Sequence, residues 1–90
     1  MANDRMTIEV YYIDGRVEEV TISFRALVAF EIAHDKSFGE ALETLHGQTW
    51  VAWRQCQLSG IEVPAYDEWL DTVTRLFMTM PDPPAPRPDG

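Results

Sequence analysis

His34, His46 and Cys56 are the side chains in this sequence best suited to metal binding or nucleophilic chemistry. The histidines lie twelve residues apart and form no HExxH or comparable ligand spacing. Each reads as a surface or boundary residue. Cys56 would need an activating neighbour to act as a nucleophile. At helical spacing beside Trp53 it reads as a small core residue, and a single cysteine excludes an internal disulfide or a thiolate zinc cage. Three carboxylate pairs, Glu18 with Glu19, Glu40 with Glu43 and Asp67 with Glu68, have simpler uses than acid–base catalysis. Glu18 and Glu19 lie on a strand. Glu40 stands three residues after Ser37 as in a capping box, with Glu43 one turn on. Asp67 and Glu68 suit the positive end of a helix dipole. No GxxxxGK, GxGxxG or GxSxG motif occurs. The expectation is a protein that binds rather than catalyses, with no cofactor and no metal.

The three tryptophans, Trp50, Trp53 and Trp69, then carry most of the information, because such side chains dominate both cores and interfaces. A helix bearing Trp50, Val51, Ala52, Trp53 and Leu58 is apolar over a wide arc. Two readings stay open: all three tryptophans are core, or Trp50 and part of the Val51 face line a groove for a partner helix.

The chain that must position them has 90 residues, 15 acidic and 7 basic side chains and a formal net charge of −8. That length suits one small domain. The basic residues are scattered with no two adjacent, so neither nucleic-acid binding nor attachment to an anionic membrane is expected. No apolar run approaches a bilayer span, and the first five residues lead into no apolar signal region. A cytosolic acidic domain is expected.

The chain divides into a flexible N-terminus over 1–5, a single α+β domain over 6–80 and a proline-rich disordered tail over 81–90. Thr7 to Ile13 alternates and is rich in β-branched and aromatic residues, and Arg16 to Ile22 returns it, giving a hairpin over 6–22. A loop of Asp14, Gly15 and Arg16 sets Ile8, Val10 and Tyr12 against Glu18, Val20 and Ile22, gathering more apolar surface than a two-residue turn. Helical spacing predicts helices over about 24–35, 38–46, 48–59 and 66–79, with Ser23 capping the first and a break near His46 and Gly47. Val28 and Ile32 widen the stripe of the first helix, which implies burial on more than one side. Gly60 closes the third. The last carries Trp69, Leu70, Val73, Leu76, Phe77 and Met80 at helical spacing until Pro81 stops it. The expected class is therefore α+β and mainly α: an N-terminal hairpin followed by three to four helices.

Three stretches give this order of elements a likeness. They are Phe24-Arg25-Ala26-Leu27-Val28-Ala29-Phe30-Glu31, then Trp50-Val51-Ala52-Trp53-Arg54-Gln55-Cys56-Gln57-Leu58-Ser59-Gly60, then Val63-Pro64-Ala65-Tyr66-Asp67-Glu68-Trp69-Leu70-Asp71-Thr72-Val73. Over roughly residues 6–78 the chain resembles the short form of the tail assembly chaperones of long-tailed, siphovirus-type bacteriophages. It departs from them after Phe30 and Glu31, where Ile32 and Ala33 stand in place of basic residues. The resemblance implies a protein of the infected bacterial cytoplasm that keeps the tape measure protein soluble while the tail tube grows and is not retained in the virion. It also implies that a longer, frameshifted form diverges near Pro81.

A surface suited to that task would be apolar, weakly binding at each contact and multivalent. The partner-binding residues expected from the sequence are Trp50, Val51, Arg54, Leu58, Trp69, Val73 and Phe77. Self-association would supplement so small a core. The alternative is a small acidic phage or prophage regulator that sequesters a basic host protein by charge. A connector retained in the virion is a third reading.

Overall fold

A computed structural model describes residues 6–79. The expected N-terminal segment over 1–5 and proline-rich tail over 81–90 lie outside the described residues. Three strands, β1 (Thr7–Tyr12), β2 (Val17–Thr21) and β3 (Val73–Thr79), form one antiparallel sheet in the order β2-β1-β3. Between β2 and β3 the chain forms α1 (Phe24–His34), α2 (Phe38–Glu43), α3 (Leu45–Leu58) and the short α4 (Tyr66–Leu70).

The C-terminal third corrects the expected architecture. A hairpin followed only by helices is replaced by a three-stranded sheet, because the helix expected over 66–79 ends at Leu70 and the chain re-enters the sheet as β3. Apolar residues at Val73, Leu76 and Phe77 fit helical spacing, yet Leu76 and Met78 also fit the two-residue period of a strand. Short runs do not separate the two periods. Composition and tertiary context decide. Thr72, Val73, Thr74 and Thr79 are β-branched, and the free edge of β1 supplies a ladder. Leu76 and Met78 pair with Val10 and Ile8 and pack against the core, while Phe77 opposes Glu9 on the other face. Thr72 Oγ1 donates to the Trp69 carbonyl at 2.6 Å and the Thr72 carbonyl accepts from Ile13 N–H at 2.8 Å, fixing the turn from α4 into β3.

The hairpin loop also differs from expectation. It is Ile13-Asp14-Gly15: Gly15 N–H donates to Tyr12 O at 3.0 Å, Tyr12 N–H donates to Arg16 O at 2.9 Å, and Gly15 has φ +94°. A tight three-residue loop needs a left-handed residue at its last position, and only glycine takes that conformation without strain. Pairing therefore moves by two residues, to Ile8 with Val20 and Val10 with Glu18. A two-residue move preserves parity, so Ile8, Val10 and Tyr12 keep the face they share with Glu18, Val20 and Ile22.

Helices pack on that face. The core joins Ile8, Val10, Tyr12, Val20 and Ile22 of the hairpin region to Ala26 and Phe30 of α1, Val51, Ala52 and Cys56 of α3, and Trp69 of α4. Ser23 caps α1, its hydroxyl accepting from Ala26 N–H at 3.3 Å. Gln55, buried on α3, accepts at Oε1 from both Ser23 N–H and Ser23 Oγ–H, at 2.8 and 2.7 Å, and donates to Ser59 Oγ at 2.9 Å. Ser37 precedes α2 without a side-chain capping bond. The helix break falls at Thr44, not at His46 and Gly47: Thr44 is extended (φ −119°, ψ 149°), its hydroxyl accepts from Gly47 N–H at 3.0 Å, and Gly47 is buried inside α3. A hydroxyl cap there outweighs the small helix penalty of one glycine. At the far end of α3, Gly60 is left-handed, with Gly60 N–H donating to Gln57 O and Ile61 N–H to Cys56 O. This is the paired closure that satisfies the last helical carbonyls.

Candidate functional site

The residues singled out from the sequence do not share one face. Val51 and Trp69 are each 1% exposed and belong to the core. Trp69 N–H donates to Tyr12 Oη at 3.3 Å, Tyr12 O–H donates to Glu18 Oε1 at 2.9 Å, and Cys56 S–H approaches the same oxygen at 3.7 Å. Burial pushes the Cys56 thiol up to about 12, with Glu18 adding to it, so the thiol is protonated and unreactive at neutral pH. Burial likewise raises the Tyr12 hydroxyl to about 12. Trp50 and Leu58 are half-buried against the core, and Val73, at the start of β3, packs there too. Phe77 is 60% exposed but sits on the sheet face turned away from the helices. Arg54 lines an open surface groove.

That groove runs along the outer side of α1. Phe24, Val28 and Ile32 stand four residues apart, so they form one ridge spanning about 12 Å of helix. Phe24 is 80% and Ile32 78% exposed, which corrects the expectation that α1 is buried on more than one side. Ala29 and the side chains of Arg25 and Arg54 complete a trough of about 410 Å³. Arg54 is held by a neutral partner, its Nη1 donating to Gln57 Oε1 at 2.9 Å. Among the described residues the lining contains two guanidinium groups and no carboxylate, on a chain of net charge −8. An apolar ridge with cationic edges has the chemistry to complement an amphipathic helix whose apolar stripe is flanked by Asp or Glu.

The signal for this face was in the sequence. Val28 and Ile32 lie outside the stripe of Ala26, Leu27, Phe30 and Ala33, and a core this small cannot surround a helix. Phe24 gave no such signal, since it sits directly after the cap.

The other cluster of functional groups lies where α1, α3 and α4 meet. His34, His46, Trp50, Trp53 and Tyr66 pack there edge to face, Trp50 against Trp53 at a tilt, with ring centroids 5.0 to 5.9 Å apart. Trp53 Nε1–H donates to the Pro64 carbonyl at 2.9 Å. No group of three or more His, Cys, Asp or Glu suited to a metal occurs among the described residues. No described helix is long and apolar enough to cross a membrane.

No protein-family model matches the chain, and no curated protein and no solved structure matches it.

Proposed function

We propose that the chain is a tail assembly chaperone that holds the tape measure protein of a long-tailed bacteriophage soluble during tail assembly. The sequence resemblance names the partner. The observation that carries the reading to a surface is the α1 ridge of Phe24, Val28 and Ile32 between Arg25 and Arg54, with Phe24 and Ile32 exposed and Val28 half-buried between them. A tape measure protein is long and helical with apolar stripes, which is the chemistry such a ridge covers. One ridge of about 12 Å makes a weak contact. Many copies along one partner bind firmly together and still release singly as the tube advances.

The test is co-expression of the full chain with the tape measure protein of the same genome, followed by affinity purification at low and high salt. A soluble complex that survives high salt and is lost with Ile32→Glu supports the reading, since apolar contacts strengthen in salt and surface charge contacts fade. Absence of any complex with a folded chain refutes it. A complex that dissolves in high salt and ignores Ile32→Glu points instead to charge-led capture of a basic protein.

A further inference from the structure

His34 and His46 meet although they come from different helices, with their Nε2 atoms 3.1 Å apart. The proton positions follow from their neighbours. His34 Nδ1 lies 3.2 Å from the Phe30 carbonyl, which can only accept, so His34 carries its hydrogen on Nδ1 and offers a lone pair at Nε2. His46 then donates Nε2–H to that lone pair and accepts the Tyr66 hydroxyl at Nδ1, 3.2 Å away. In this arrangement every ring nitrogen has a partner.

The same atoms have a second complete arrangement. Tyr66 Oη also lies 3.4 Å from the His46 carbonyl. When the hydroxyl turns to donate there, its oxygen can accept from His46 Nδ1–H. The proton that His46 held on Nε2 now sits on Nδ1, and no net charge changes. Both Nε2 atoms then present lone pairs to the space between the helices. An ion bonded at about 2.0–2.1 Å to two nitrogens 3.1 Å apart subtends about 100°. That angle falls between the tetrahedral and the octahedral values. The ring centroids are 5.1 Å apart, so the rings face each other almost end-on and must tilt for their lone pairs to converge. His46 is exposed and has room to tilt.

We propose that His34 and His46 form a two-histidine site for a divalent transition ion that favours imidazole, namely Zn²⁺, Ni²⁺ or Cu²⁺. Phe30 O and Tyr66 Oη are the outer partners of the two rings. With two protein ligands, solvent fills the remaining positions and the affinity stays well below that of a four-ligand structural site. A bound ion ties the C-terminal turn of α1 to the first turn of α3 and, through Tyr66, to α4. This site is separate from the α1 ridge and stands whether or not the chaperone reading holds.

Ni²⁺ titrated into the untagged full chain tests it by tryptophan fluorescence, since the Trp50 ring lies 5.0 Å from that of His34 and is within quenching reach. The expected result is saturable quenching at one ion per chain, reversed by Zn²⁺. His34→Gln and His46→Gln each abolish it, and Tyr66→Phe weakens it by roughly tenfold. Exposed His46 gives a variant that keeps its fold, which circular dichroism checks, so the test stands even if His34→Gln does not fold. Quenching that does not saturate, or that persists unchanged in folded His46→Gln, overturns the proposal.

Discussion

The two faces of α1 are nearly equal in apolar content and opposite in role. Ala26 and Phe30 are sealed in the core, while Phe24 and Ile32 look outward with Val28 half-buried between them. Apolar residues on the inner face are held by surrounding core, while Phe24 and Ile32 on the outer face are left exposed by the described residues. Hydrophobicity alone therefore does not separate a core residue from a docking residue. What separates them is whether the remaining elements can reach that side of the helix.

The sharpest way to break this contrast is truncation on the inner side. Phe30→Ala and Trp69→Ala should each cost about 3–5 kcal/mol, read by chemical denaturation, because each leaves a cavity in a small core. Trp69→Ala also removes the N–H that Tyr12 Oη accepts. If either variant kept wild-type stability while losing its partner, the division between the faces would fail.

Gln55→Ala should cost about 1–3 kcal/mol, since Ser23 loses the acceptor for both its N–H and its O–H. On the outer side, Phe24→Ala and Ile32→Ala should change stability by no more than about 0.5 kcal/mol. They should still reduce recovery of the soluble complex with the tape measure protein. A loss of stability comparable to that of Phe30→Ala would show that the outer face is already covered.

A separate effect is the response to alkali. The folded chain holds the Cys56 proton to about pH 12 against 9.0 ordinarily, and the Tyr12 proton to about 12 against 10.0. Between those values the unfolded chain has released protons that the folded chain retains. Stability is thus fully present below about pH 9 and falls as pH rises toward 12. Denaturation midpoints measured across that window should decline, and Cys56→Ala should flatten the earlier part of the decline. A flat profile would mean that the Tyr12, Glu18 and Cys56 group is wetter than its burial indicates.

Much of this architecture was legible in the residues. The alternation of Thr7 to Ile13, the cap at Ser23 and the glycine closing α3 each have one dominant physical reading. The last third was not, because apolar spacing from Val73 to Met78 fits two periods and the deciding partner, the free edge of β1, lies some 65 residues away. The hairpin register was half legible: burial fixes which face pairs with which, but the position of Gly15 in its left-handed conformation fixes the phase. Of the expected partner-binding residues, Arg54 lines the ridge, while Val51 and Trp69 went to the interior. The meeting of His34 and His46 depends on how α1 crosses α3, which no spacing along the chain records.

The central strand also sets a timetable. On the ribosome, β1 and β2 emerge almost together and can pair at once. The other edge of β1 waits for Val73–Thr79, and at about 5–20 residues per second that interval is roughly 3–12 seconds. Through it, the ladder groups beside Ile8 and Val10 stand open to any passing strand. The nascent chain is thus open to mispairing until Val73–Thr79 arrive, and slowing synthesis between β2 and β3 should raise aggregation more than slowing it before β2.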